Sequence, residues 1–126
     1  MSCHLKRYSE TAHATRYWGR IVLGSVVRLK HKIGNAYKGE YGVCYEVYQC
    51  NRDGELVEGY SFIFQHGYCT SLLPDEIDEC LMITGRVSKS HEHRWFTYFS
   101  DVVKHWQEGG FDDAFLPPTA VMTLIK

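Results

Sequence analysis

The chain lacks any apolar run of the roughly 20 residues that a membrane-spanning helix needs. Its first residues also lack the apolar segment of a secretory signal peptide. Its cysteines are odd in number and include no Cys-x-x-Cys pair, so no secreted disulfide framework is indicated. We read Cys44 and Cys80 as small buried apolar residues. These absences argue against a membrane protein and predict a cytoplasmic one.

Motifs of catalysis are missing as well. The sequence has no Gly-x-Ser-x-Gly elbow, and the pair Gly39 and Gly42 lacks the third glycine and the helix of a dinucleotide fingerprint. Cys69 follows His66 closely, but two such residues near a turn are commoner than a catalytic dyad. We therefore predict that the protein is not an enzyme, with no catalytic residues and no cofactor.

One histidine group is the only tempting metal cluster. His91 and His93 lie close together, and His105 follows twelve residues later. Zinc takes tetrahedral sets of His or Cys ligands at fixed spacings, and on a helix beginning near Glu92 the first two histidines diverge around the axis. We predict no metal site.

What the chain does contain is typical of one globular domain. It has 126 residues, of which 44% are apolar and 14% aromatic. The net charge is −1, yet residues 1–38 carry eight basic groups and one acid, whereas the remaining 88 carry six basic and fourteen acidic groups. One interpretation is a basic face that binds phosphate or an acidic partner. The other is that the two ends of the chain neutralise each other in the fold.

Three β-rich runs separated by glycine-bearing turns lie between residues 24 and 67, which is typical of a small, bent antiparallel sheet or barrel. Period-two alternation turns Val27 and Leu29 inward in the first run. In the second run it places Val43, Tyr45 and Val47 on one face. In the third, residues 60–65, the three aromatics share a face, and residues 51–54 form the hairpin turn before it.

After Gly85 the period changes to that of a helix. Trp95, Phe99, Val103 and Trp106 fall on one face of an amphipathic helix predicted over 92–108, with Ser90 as its N-cap. Residues 71–77 predict a short helical turn, 80–84 a last strand, 111–115 a turn that buries two aromatics, and 119–126 an edge strand. The prediction is a single domain, with a basic arm over 1–19, a barrel over 20–86, and a helix and tail over 87–126.

A family resemblance rests on a few glycine and apolar positions. Gly24-x-Val26 with Leu29, then Gly39-x-x-Gly42-x-Cys44, resembles the opening of an SH3-like barrel of the KOW type. Residues 60–64, 74–77 and 109–115 resemble small bacterial proteins carried on phages and plasmids. The resemblance implies a mainly β fold, a five-stranded SH3-like barrel with a C-terminal amphipathic helix. It implies no catalytic residues, because such barrels serve many roles.

The candidate binding residues lie in the loop between the first two strands. That loop mixes cations with aromatics, a composition that suits single-stranded nucleic acid but also a protein hot spot or a solvated loop. We favour a protein partner, because Glu40 and Glu46 interrupt the basic run. The predicted binding residues are Lys30, Lys32, Tyr37, Lys38 and Tyr41.

An acidic cluster extends the protein-binding hypothesis. The cluster contains Asp75, Glu76, Asp78 and Glu79, with Glu55 and Glu58 nearby in the sequence. If these acids gather on one face, they would imitate a phosphate backbone; most acidic clusters are merely solvated. We predict a non-catalytic protein-binding module, an accessory or inhibitor protein of a mobile element that acts on a host complex, such as an anti-CRISPR protein. The alternative is a nucleic-acid-binding module that uses the basic aromatic loop.

Overall fold

The computed structural model describes residues 3–4, 20–89 and 96–116. The strands are β1 Cys3–His4, β2 Ser25–Leu29, β3 Tyr41–Arg52, β4 Glu55–Phe64, β5 Cys69–Leu72 and β6 Leu81–Val87. The helices are α1 Pro74–Cys80, α2 Phe99–Gln107 and α3 Asp112–Phe115. The predicted arm over 1–19, apart from β1, and the predicted strand over 119–126 lie outside the described residues.

The strands form one open antiparallel sheet. Their order is β5-β4-β3-β2-β6, and β1 pairs with the far end of β3. No pairing among the described strands joins β5 to β6, which are connected by α1. The fold is thus mainly β, as the sequence predicts.

The turn between β3 and β4 follows from two residues with positive φ. Asp53 has φ of 52° and Gly54 has φ of 85°, and a two-residue turn with both angles positive matches the twist of the strands it joins. The N–H of Gly54 donates to Asn51 Oδ1 at 3.1 Å. This confirms the hairpin predicted at residues 51–54 and fixes the pairing of β3 with β4.

Both faces of the sheet are buried, by different elements. We call the first set the inner cluster and the second the outer cluster. The inner cluster contains Ile21, Val27, Leu29, Ala36, Cys44, Tyr60, Phe62, Phe64, Leu72, Ile77 and Leu81. The outer cluster contains Val26, Val43, Ile63, Val102, Phe111 and Ala114, and so joins three strands to the C-terminal helices. The predicted inward residues Val27 and Leu29, and the predicted aromatic face of β4, are confirmed.

A β-bulge corrects the predicted faces of β3. The register between β3 and β4 shifts between Cys44 and Glu46. A bulge adds one residue to one strand, so the alternation of side chains changes sign after it. Val43 packs in the outer cluster, whereas Val47 packs against the inner one. The prediction that these two valines share a face is therefore wrong.

The C-terminal helix starts later than predicted. α2 begins at Phe99, because Asp101 accepts the N–H of Tyr98 through Oδ2 at 3.2 Å and so caps the first turn there. The predicted N-cap Ser90 and the predicted face residue Trp95 lie outside the described residues. Val102 is buried, and Trp106 packs on the outer cluster, donating from Nε1 to the Gln65 carbonyl at 3.2 Å. Phe99 is 56% exposed, so it does not cover the sheet as predicted.

Candidate binding surface

The loop between β2 and β3 is held by its own backbone. The N–H of Leu29 donates to the Glu40 carbonyl, and the N–H of Gly39 donates back to the Leu29 carbonyl, each at 2.9 Å. Ile33 and Ala36 exchange two further hydrogen bonds, and Ala36 is fully buried. The side chains of this loop are therefore presented from an ordered frame, which reduces the entropy that binding must remove.

Glu40 supports the loop rather than facing solvent. Its side chain is only 6% exposed, and Oε2 accepts the N–H of Tyr37 at 2.7 Å. Oε1 lies 3.2 Å from Nδ1 of the exposed His66, within ion-pair distance but without the alignment of a hydrogen bond. The negative charge at this position is consequently withdrawn from the outer surface of the loop.

Three of the predicted binding residues form what we call the loop-tip patch: Lys32, Tyr37 and Lys38. Tyr37 is 58% exposed, and both lysines are exposed. The Lys32 ammonium lies 5.2 Å from the centroid of the Tyr37 ring, a cation–π geometry. The patch thus offers one aromatic ring with two positive charges close by in the chain.

Lys30 contacts a different element. Its Nζ donates to the Asp78 carbonyl of α1 at 2.9 Å. With Arg20 and Met82 it lines an open surface cavity of about 320 Å³ between α1 and β6. The structure therefore separates Lys30 from the loop-tip patch to which the sequence assigns it.

Two arginines lie near the Tyr41 ring, and we call them the arginine pair: Arg28 and Arg86. Their guanidinium carbons are 5.3 and 5.2 Å from the centroid of the Tyr41 ring. Arg28 also donates from Nε to the Gly39 carbonyl at 3.1 Å, which connects the pair to the loop. Arg86 donates from Nη2 to the Ala114 carbonyl at 3.3 Å.

The two arginines were missed as site residues. The sequence contains a signal for Arg28, because alternation places its side chain outward on β2, where it pairs in register with Tyr41. It contains none for Arg86, because that residue lies 45 residues beyond Tyr41 and reaches it only through the pairing of β6 with β2.

Three cysteines have thiols whose pKa is raised by burial: Cys44, Cys69 and Cys80. Burial raises the pKa of Cys44 to about 12, and burial also raises the pKa of Cys69, whose Sγ donates to the Gly67 carbonyl. Raising a thiol pKa lowers the thiolate fraction that nucleophilic attack requires.

A metal centre has no ligand set within the described residues. No group of three or more His, Cys, Asp or Glu side chains in that part of the chain is arranged to hold a metal ion. His91 and His93 lie outside the described residues. His105 packs between two rings, with centroids 5.3 Å from Phe96 and 4.7 Å from Phe111.

Two residues of the predicted acidic cluster have hydrogen-bond partners within the fold. Glu58 is buried and accepts the Tyr60 hydroxyl hydrogen at 2.8 Å. Glu76 accepts the Leu73 N–H through Oε1 at 2.9 Å and so caps α1. Two of the six acids proposed to imitate a phosphate backbone therefore serve the fold.

One apolar surface is exposed at the beginning of α2. Tyr98 is 69% exposed and is adjacent to the exposed Phe99, whose ring centroid lies 6.3 Å from that of Tyr45. Neighbouring aromatics are typical of protein contact surfaces.

Among the helices of the described residues, none has the length and apolar character that a membrane crossing requires. No protein-family model matches this chain, and neither a curated protein nor a solved structure is significantly similar to it.

Proposed function

We propose that this protein is a non-catalytic binding module that contacts single-stranded nucleic acid through the loop-tip patch. The strand order, with α1 linking the two end strands, supports the SH3-like barrel expected from the glycine pattern, and that fold is part of the proposal. The loop-tip patch is the contact surface: Tyr37 stacks on a base, and Lys32 and Lys38 attract phosphates.

A single observation carries the proposal: an exposed tyrosine ring on an ordered loop, with a lysine ammonium 5.2 Å from its centroid. Any unpaired base can stack on an exposed aromatic face, whatever the sequence of the strand. Lys32 and Lys38 then attract the backbone phosphates on either side of that base. Duplexes bury their base faces, so stacking on Tyr37 selects single strands.

Glu40 and Glu46, which interrupt the basic run in the sequence and favoured a protein partner there, both accept hydrogen bonds within the protein. Glu40 is buried beneath the loop, and Glu46 accepts the Ser61 hydroxyl hydrogen through Oε1 at 3.1 Å. With Glu40 buried beneath the loop, the exposed side chains of Lys32 and Lys38 give the loop tip a positive charge, which supports a nucleic-acid partner.

The test is fluorescence anisotropy with a labelled mixed-sequence single-stranded oligonucleotide, at several salt concentrations. Tyr37→Ala should weaken binding about tenfold, since stacking contributes roughly 1–3 kcal/mol per base. Tyr37→Phe is the matched control and should bind like the wild type, because it keeps the ring. Replacing Lys32 and Lys38 by Gln should lower the slope of log K against log salt by about 0.7 for each phosphate that the protein no longer neutralises.

Two outcomes would contradict the proposal. One is wild-type affinity in Tyr37→Ala. The other is binding that does not change with salt. The melting temperature of every variant must stay at the wild-type value, which is expected because the substituted side chains are exposed.

A second candidate function is favoured by the exposed pair Tyr98 and Phe99. These residues would dock a host protein or complex, in keeping with the resemblance to phage and plasmid proteins and with an inhibitor role. The test is recovery of a partner from host lysate by the tagged protein after nuclease treatment. Recovery that survives nuclease, is abolished in Tyr98→Ser with Phe99→Ser, and persists in Tyr37→Ala would support this function. Recovery that nuclease abolishes would exclude it.

A further inference from the structure

The arginine pair holds two positive charges without a carboxylate counterion. No acidic side chain of the described residues lies within ion-pair distance of Arg28 or Arg86. Asp113 is adjacent in the chain to Ala114, whose carbonyl accepts from Arg86. Its carboxylate already accepts hydrogen bonds from the Ser88 hydroxyl and the Lys89 N–H, each at 2.8 Å. The ring of Tyr41 attracts both guanidinium groups, but a quadrupole does not cancel a full charge.

Arg86 also has a donor without an acceptor. Its Nε is buried and makes no hydrogen bond within the described part of the chain, while Nη2 reaches the Ala114 carbonyl. Buried donors are paired in the great majority of cases, so an unpaired one calls for an explanation. Because Nε is enclosed by the protein, an external anion would neutralise the charge of this half-buried guanidinium through its other nitrogens, without bonding to Nε.

We propose that Arg28 and Arg86 form a binding site for a phosphate group beside the Tyr41 ring. Guanidinium groups match phosphate oxygens in a forked geometry, which favours phosphate over a spherical anion. Because Arg28 is tied to the Gly39 carbonyl, the site adjoins the loop that carries Tyr37. The phosphate site itself does not depend on the proposed function. The identification of its phosphate as part of a nucleic-acid strand that continues from the loop-tip patch does rest on that function.

The first measurement uses the wild-type protein, so it does not depend on whether a variant folds. In protein with ¹⁵N-labelled arginine, inorganic phosphate is titrated at constant ionic strength against chloride, and the Nε–Hε signals are followed. The signals of Arg28 and Arg86 should move together to a plateau. Arg20, which lines the separate cavity beside α1, should not follow that curve. Equal, linear movement of all arginine signals would overturn the site.

Variants that keep the positive charge then separate the effect of guanidinium geometry from that of charge alone. Arg28→Lys and Arg86→Lys should each weaken phosphate binding about tenfold, because an ammonium cannot provide the guanidinium fork. Arg20→Lys is the matched control and should leave the affinity unchanged. Wild-type affinity in a folded Arg86→Lys protein would overturn the proposal.

The oligonucleotide experiment distinguishes this inference from the proposed function. If phosphate binds at Arg28 and Arg86 but Tyr37→Ala leaves oligonucleotide binding intact, the site stands and the proposed stacking surface fails. If oligonucleotides bind through Tyr37 while the two arginine signals ignore phosphate, the proposed function stands and the phosphate site is refuted.

Discussion

Among the described residues, the buried side chains of the inner cluster lie between residues 21 and 81, whereas those of the outer cluster include residues of α2 and α3. The inner cluster draws on neighbouring strands, their loops and α1, so its contacts connect segments that follow one another along the chain. The outer cluster joins Val26, Val43 and Ile63 to residues from 102 to 114. One face can therefore form as the strands pair, and the other depends on a later segment folding back. We expect the two faces to differ in how a truncation spreads through the molecule.

The largest effect is expected on the inner face, at Phe62. This side chain is fully buried, so Phe62→Ala should lower the free energy of unfolding by about 3–5 kcal/mol, because apolar burial is reduced and a cavity is left behind. Phe99→Ala is the matched control, since more than half of that side chain is exposed, and should cost about 0.5 kcal/mol or less. Urea denaturation measures both. A comparable cost at the two positions would contradict the assignment of the core to this face.

Trp106→Ala tests the outer face and should cost about 3 kcal/mol. The variant removes packing on the outer cluster and the hydrogen bond from Nε1 to the Gln65 carbonyl. Hydrogen exchange should show α2 amides losing protection while β4 amides keep more of theirs, because the inner cluster remains intact. Uniform loss of protection across both elements would show that the faces unfold as one unit. Unchanged stability would instead make this helix face a partner surface.

Gly42→Ala should cost about 1–3 kcal/mol through overpacking. A Cβ at this position would lie 2.5 Å from Cε1 of Phe64, whose side chain is fully buried in the inner cluster. Combining Gly42→Ala with Phe64→Leu should cost less than the sum of the single changes, because the smaller side chain relieves the clash. Additive costs would show that the two residues do not meet.

Alkaline pH should weaken the inner face by up to about 1.4 kcal/mol per pH unit for each proton involved. The pKa of Cys44 rises from 9.0 in the unfolded chain to about 12 in the fold because the thiol is buried. Above pH 9 the unfolded state therefore binds fewer protons than the native state, and stability falls as pH rises; below pH 9 this contribution is constant. Burial raises the pKa of Tyr60 as well, in the same direction.

Thermal melts between pH 7 and 10.5 measure this slope. Cys44→Ala should flatten it relative to the wild type, apart from the tyrosine contribution. An identical slope in both proteins would show that Cys44 does not ionise on unfolding in this range.

Much of the inner face was predictable from the sequence, because alternation in β2 and β4 identifies Val27, Leu29 and the aromatics of β4. The outer face was not. A residue such as Val26 lies outward by alternation, and it is buried in the outer cluster, which includes residues of α2 and α3 far along the chain. The side of Val47 depends on a bulge that no turn residue marks. The start of α2 depends on Asp101 acting as a cap, where the apolar period suggested an earlier residue.

The candidate site divides in the same way. Its loop-tip patch could be predicted from composition, because Lys32, Tyr37 and Lys38 lie within seven residues of one another. The arginine pair could not, since strand order alone brings Arg86 to Tyr41. Lys30 illustrates the opposite error. It is adjacent to the loop in sequence, yet its ammonium contacts α1.

Gly85 has a consequence for how this protein behaves at high concentration. β6 ends the strand order, and no described strand pairs with its outer edge, the kind of edge that recruits strands from other molecules into aggregates. Gly85 has φ of 84°, the Thr84 hydroxyl accepts the Arg86 N–H at 3.1 Å, and the register of β6 with β2 shifts between Ile83 and Val87, so the strand is irregular there. Only residues 81–83 of β6 pair with β2 in unbroken register, fewer than the six or seven of a typical amyloid-forming segment. This edge strand is therefore a poor template for fibrils.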